Sequence, residues 1–493
     1  MATPADSSDT LITPSPAHHH HHRPSSPRAM TTDVELSVLE SPPVVPKLLR
    51  EASDITWQET FESTKDQVTL VRRRGIFRLH HQQQFKNSLL ASVGYLELAN
   101  AGDFAANVWN EIPVPRFAAV LMGIGGTLAL AMVLVAVQDF RLSWKNVKLL
   151  RAERTHLQRL RQYHDKNVEL ARLIDSRLGV SVRELGTEIV DRIVMDLLLG
   201  FGSILVGVGT LMAIGGANPR VFKASNLLSG YIGNGLAALF GLANAAWSVC
   251  LIYRFWSHDA AVTAREPSDD IRRRLHVRFR RFQWHAVANG LNGLVAGAAS
   301  MVTAERWWGY VVLIPCIISL ILCNYFWRKK LGYDRPLLSD ISPANVQLTP
   351  ILEDLEYVIA IQRGLADPDA CLPTTILQLD SFESSLNFIV HNRILDAYCE
   401  SLARDKKTRH LLSDMSTQSS IPDQITLTPE IILRLSASSR SNHTCLLNHA
   451  QRFLKKTGVR LLIDRERHLL ELWGFAVWQD QTTTRTDTPG SNK

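Results

Sequence analysis

At 493 residues, with 46% hydrophobic and 20% charged side chains and a net charge of +7, the chain has an ordinary bulk composition. The distribution is not ordinary: long uncharged apolar runs alternate with basic segments, which excludes a purely soluble protein. The six cysteines show no CxxC spacing and read as small packing residues, so neither a disulfide framework nor a cysteine metal site is expected.

Residues 1–66 are predicted to be a disordered tail. Up to about Lys47 they are rich in Pro, Ser and Thr and include His18 to His22, a composition that cannot bury enough apolar surface to offset chain entropy. No apolar leader core is present. Residues 67–87, with Arg72 to Arg74, read as a basic juxtamembrane segment.

The next stretch, 88–109, is "SLLASVGYLELANAGDFAANVW", of membrane length but carrying two acids. At 100° per residue Glu97, Asn100, Asp103 and Asn107 fall within about 120° of one another and make one polar stripe. An Asp at a span centre costs about 2.5–3.5 kcal/mol, so insertion needs a partner helix and polar neighbours. The neighbours available in other spans are Asn234, Asn244, Asn289 and Asn292. Inside a bundle the carboxylates would be protonated, bridged by water or occupied by a cation. The competing reading is an amphipathic helix lying on the membrane surface.

Phe117 to Gln138 carries no charge and is long enough to cross a bilayer, so 88–138 is predicted as a first hairpin. Residues 139–192 read as a cytosolic helical segment with an apolar stripe at Leu150, Leu157, Leu160 and Ile174. A second hairpin follows at 197–253. The basic loop 254–283 holds six arginines within ten residues, Arg272, Arg273, Arg274, Arg278, Arg280 and Arg281, with aromatics between them. Beside a membrane such a cluster contacts anionic lipid headgroups, at about 1 kcal/mol per basic side chain. Nucleic acid is not expected there. A third hairpin spans 284–327, with Gly293 and Gly297 as a close-packing pair within the chain or between copies. Trp284, Trp307, Trp308 and Trp327 mark headgroup boundaries.

Residues 331–480 are predicted as a cytosolic helical domain. One helix is expected through Leu386, Ile389 and Ala397, another starts at Thr428-Pro429, and a third stops at Gly458. Residues 481–493 form a second tail. Charge sets the orientation: twelve Lys and Arg lie in 139–192 and eight in 254–281, against two and one in 217–226 and 302–309. The basic side is the cytosol, and with six spans both termini face it.

The stretch "GYLELANAGDFAANVWNEIPVPRFA" is similar to that of uncharacterised multi-pass integral membrane proteins of filamentous fungi. The resemblance implies a membrane location and assigns no residue a role.

The fold expected is all-α: a polytopic transmembrane bundle of six spans, five of them clear, with a helical C-terminal domain. Two functions fit an integral membrane protein of this kind. One is a cation- or proton-coupled transporter or channel using the intramembrane carboxylates. The other is a non-catalytic membrane organiser or adaptor that binds anionic lipid or partner proteins through its cytosolic regions. An enzyme ranks third, since no nucleotide loop, metal motif or nucleophile elbow is present and no cofactor is implied.

Overall fold

The computed structural model describes residues 67–73, 76–80, 84–86, 91–109, 113–264, 268–338, 350–366, 381–416 and 424–486. The two expected tails, 1–66 with His18 to His22 and the end of 481–493, lie outside them. Helix dominates, but five short strands are present. Val68–Arg73 (β1) pairs antiparallel with Ile76–Leu79 (β2). Gln84–Lys86 (β3) pairs with Asp334–Pro336 (β4), and Gln424–Leu427 (β5) completes a sheet in the order β2-β1-β5. Alternation explains the start of β1, with Val68 and Leu70 buried on one face and Thr69 and Val71 half-buried on the other. The segment expected to lie juxtamembrane is thus built into the C-terminal part of the molecule.

Ala91–Ala101 is a 3-10 helix rather than an α-helix, followed by the short α-helix Phe104–Val108 (α1). Rises of about 2.0 and 1.5 Å per residue let these sixteen residues reach across about 30 Å. They pack against the membrane-length helices. Leu96, Ala99 and Asp103 are buried against them.

Arg116–Tyr163 (α2) continues far beyond Gln138 and folds back on Val168–Thr187 (α3), burying Leu157, Leu160 and Ile174 between them. A π-helical turn at Glu188–Val194 joins α3 to Met195–Ala213 (α4). Then come Pro219–Ser225 (α5), a π turn, Asn234–Ala264 (α6), Asp269–Thr303 (α7) and Gly309–Phe326 (α8), which runs through Pro315. Among the described residues four helices are long and apolar enough to cross a membrane: Arg116–Tyr163, Val168–Ala213, Pro219–Ala264 and Gly309–Leu331. The expected span 284–302 lies on α7, which falls outside that group because Asn289, Asn292 and small residues dilute its apolar character. The expected basic loop 254–283 is mostly helix too, since α7 buries Ile271, Leu275, Phe279 and Phe282 along one face.

Exposed apolar side chains belt the bundle, among them Leu128 and Leu134 on α2, Leu242 and Val249 on α6, and Val311 and Leu322 on α8. A soluble protein does not leave such a girdle in water. Trp284, Trp307 and Trp308 are exposed at its edges, whereas Trp327 is buried against Phe282 and His285. Inside, glycines bring backbones together: a Cβ on Gly125 would meet the Gly102 carbonyl at 2.2 Å, and one on Gly241 the Gly293 carbonyl at 2.2 Å.

The C-terminal layer comprises Ile351–Ala366 (α9), Phe382–His391 (α10), Leu395–Arg404 (α11), Lys406–Ser416 (α12), Pro429–Ala437 (α13), Arg440–Phe453 (α14) and Val459–Thr486 (α15). Arg393, at φ 56, breaks the helix expected through Ala397 into α10 and α11. The Thr428 hydroxyl accepts from the Ile431 amide, and Pro429 opens α13 as expected. Gly458 does not stop its helix. A π turn, Leu454–Gly458, carries the chain into α15, which runs past the expected boundary at 480.

Candidate functional site

Among the described residues, buried polar side chains gather at several places in the molecule. The first gathers around Asp103, fully buried at the junction between the 3-10 segment and α1. Its carboxylate accepts from the Tyr310 hydroxyl at 2.7 Å, from the Asn107 amide at 2.9 Å and from the Asn234 amide at 3.3 Å. The Asn234 amide also reaches the Thr303 hydroxyl at 3.3 Å. Thr303 ends α7, Tyr310 stands in the first turn of α8, and Asn234 opens α6. Asp103 therefore lies near one end of the bundle.

Of the expected polar set, Asp103, Asn107 and Asn234 come together. Glu97 is buried on the same segment, and the Asn100 side chain lies outside the described residues. Asn244 and Asn289 form a separate pair: Asn289 donates to the Asn244 side-chain oxygen at 3.0 Å, and Asn244 donates to the Asn289 carbonyl at 3.1 Å. The Asn292 amide nitrogen is buried with no acceptor among the described residues.

At the opposite end of α4 lies a second cluster. Arg192 donates to Asp139 at 2.6 and 3.1 Å and to Glu188 at 3.0 and 3.1 Å, all three side chains out of solvent. Asp196 is buried beside Asp139 and Arg192 but does not join their ion pair.

The third and largest cluster joins the bundle to the C-terminal layer. Arg183 of α3 grips Glu471 of α15 with two hydrogen bonds of 2.7 Å and donates to the Tyr333 hydroxyl at 2.7 Å. Arg335 of β4 bridges two acids, meeting Glu153 of α2 at 2.7 and 2.8 Å and Glu184 of α3 at 2.6 and 2.9 Å. The Tyr333 hydroxyl stands 2.9 Å from Glu184 and 3.1 Å from Glu471, linking the two halves. Every one of these side chains is at most 6% exposed, so water does not screen them.

Charge in this hub is unequal. Burial opposes ionisation of Glu471, but Arg183 and Arg278 outweigh it and hold that carboxyl below its usual range. Burial, and after it Arg335, Arg177, Arg183 and Arg278, hold His468 well below the usual histidine range. Among the described residues no group of three or more His, Cys, Asp or Glu is arranged to hold a metal ion.

The arginine cluster expected at lipid headgroups divides. Arg278 is only 5% exposed and turns inward to Glu471 at 3.8 Å, so it cannot meet a headgroup. Arg274 pairs with Asp270 at 2.9 Å and Glu466 at 2.7 Å, and Arg272 with Asp269 at 2.5 Å. Arg273, Arg280 and Arg281 are exposed. Gly293 and Gly297 face α6 of the same chain, where a Cβ on Gly297 would come within 2.8 Å of the Ala238 backbone.

Sequence reasoning missed Tyr310 and Thr303 around Asp103, and the Arg183, Glu471 and Arg335 hub entirely. No protein-family model, curated protein or solved structure matches this chain.

Proposed function

We propose that this protein is a non-catalytic membrane organiser: a polytopic bundle that holds its C-terminal layer in fixed orientation at the cytosolic membrane surface. The observation that carries the reading is the Arg183–Glu471 pair, with Arg335 beside it, which locks α15 and β4 onto α2 and α3 without water. A transporter needs two arrangements around a site. This bundle is packed backbone to backbone at Gly125 and Gly241, and Asp103 is already satisfied by three donors.

The chain crosses the bilayer six times in this reading. Lys86 pairs with Asp334 beside the end of the last membrane helix, while Asp103 meets Tyr310 at that helix's beginning. The segment between them runs from one end of the bundle to the other. Basic loops then all fall on one side, and both termini are cytosolic.

The reading is tested by crosslinking purified full-length protein in lipid nanodiscs and measuring the distance between spin labels on α15 and α2. A single narrow distance supports a fixed display surface, and a broad or bimodal one rejects it. Proton-coupled transport is the second reading, favoured by the buried carboxylate of Asp196 beside that of Asp139. It requires that Asp196→Asn abolish a proton flux in proteoliposomes.

A further inference from the structure

We propose that a cleft between the cytosolic end of the last membrane helix and the start of α15 binds a multiply phosphorylated polyol. That chemistry is shared by a phosphoinositide headgroup and a free inositol polyphosphate. The proposal deepens the organiser reading and rests on it for the side of the membrane the cleft faces.

The cleft holds about 420 Å³, within the range of small-ligand sites of about 300–1,000 Å³. Arg328 and Lys329 enter it from the π turn Trp327–Leu331, and Lys456 and Arg460 from the turn Leu454–Gly458 and the first turn of α15. All four are exposed, and among the described residues none of them enters an ion pair. Arg467 shapes the floor: its guanidinium donates to the Lys329 carbonyl at 2.7 Å and the Gly332 carbonyl at 2.8 Å. It is a positioning residue, already engaged with backbone.

Five cationic side chains line this space against two carboxylates, Asp334 and Asp464. Arg467 also donates to the Asp464 carboxylate at 3.3 Å, which sets one of the five cations against one of the two acids. The back wall is Tyr333, whose ring lies 5.6 Å and 5.7 Å from the guanidinium carbons of Arg278 and Arg183. Two guanidinium groups therefore stand directly behind that wall. A single phosphate leaves most of this charge unmatched, whereas two or three phosphates on a ring match forked arginines and point-charge lysines arranged on two walls. Arg328 and Lys329 follow directly on a membrane helix, the depth at which basic side chains meet lipid headgroups.

The test uses the full chain in detergent micelles and measures binding of dioctanoyl phosphatidylinositol 4,5-bisphosphate, inositol 1,4,5-trisphosphate and inorganic phosphate by calorimetry. Saturable binding of the lipid or the trisphosphate is expected, weakened at least tenfold in Lys456→Ser/Arg460→Ser. The exposed control pair Arg273→Ser/Arg280→Ser should bind as the parent does. Binding of the lipid alone assigns a membrane headgroup, and equal binding of the trisphosphate assigns a soluble ligand. No saturable binding of either, inorganic phosphate binding as tightly, or equal loss in both double variants overturns the proposal. A broad label distance in nanodiscs with binding intact would reject the organiser reading and leave this site standing.

Discussion

Arg183 and Glu471 lie 288 positions apart in the chain and meet through two 2.7 Å hydrogen bonds, with at most 1% of either side chain exposed. Such a pair is weak evidence for stability as a whole, because desolvation offsets much of the attraction, but removing one partner strands the other. Glu471→Gln is expected to lower stability by about 3–5 kcal/mol, and Arg183→Met by a similar amount. The double variant should cost less than the two single losses combined, by more than about 1 kcal/mol. Thermal unfolding in detergent reads this out, and additive losses would remove the pair as the link between bundle and C-terminal layer.

The glycine contacts make a second prediction. A Cβ at position 241 would stand 2.2 Å from the Gly293 carbonyl oxygen, a backbone atom that no side-chain rotation can move. Gly241→Ala must push α6 and α7 apart and is expected to abolish the folded monomer or cost more than about 3 kcal/mol. Gly235→Ala, whose nearest added contact is the Met301 sulfur at 3.9 Å, is the neutral control on the same helix. Comparable thermal midpoints for the two variants would contradict this packing.

How far these features are legible in sequence depends on how local they are. The polar stripe of Glu97, Asp103 and Asn107 is visible because helical spacing is a local property, yet the 3-10 geometry that carries it and the Tyr310 hydroxyl that satisfies it are not. Tyr310 looks like an interfacial aromatic until α8 is folded beside α1. Val68 and Leu70 alternate as a strand should, but the arginines at 72–74 draw the eye to charge, and one of its two partner strands, β5, is more than 300 residues away. Arg183, Glu184 and Glu471 sit in helices of mixed charge where solvation is the ordinary reading. Only long-range packing takes them out of water. Trp327 fails for the same reason: next to three basic residues it reads as a boundary marker, and Phe282 covers it.

Asp103 separates the two functional readings. Because Tyr310, Asn107 and Asn234 all donate to it, Asp103→Asn together with Glu97→Gln is expected to leave proton and cation flux in proteoliposomes unchanged from the parent. The structural cost should be modest, about 1–3 kcal/mol, since one or two donors lose their acceptor. Loss of a measurable parental flux with insertion intact would return these carboxylates to a transport role.

Sidedness follows from the strand pairings. β1 pairs with β5 and β3 with β4, so in the proposed topology these strands are expected on the same side as the C-terminal layer. In sealed vesicles with the cytosolic face outward, epitopes at residue 1 and residue 493 should be digested together. Protection of one alone would break the six-crossing topology.

Acid should loosen the hub, and the sign can be worked out from two groups. His468 is held well below its usual value of 6.5, so the unfolded chain takes up a proton first as pH falls. Its contribution is complete above about 6.5 and declines below, by about 1.4 kcal/mol per pH unit until the folded group also titrates. Glu471 is held below its usual 4.5, so its contribution is complete above that value and is lost as pH falls through its lower folded value. Both act in one direction, histidine first. His468→Phe keeps a ring against Tyr333, now 5.3 Å from the imidazole, and removes the first of the two. The variant's thermal midpoint should therefore change less than the parent's between pH 7 and 5, with the two curves turning down together below about 4.5. The decline between pH 7 and 5 will be reduced rather than abolished, because His391 and His449 are also held low by burial. Identical pH profiles would mean that His468 is already solvated and that the hub opens more readily than its geometry implies.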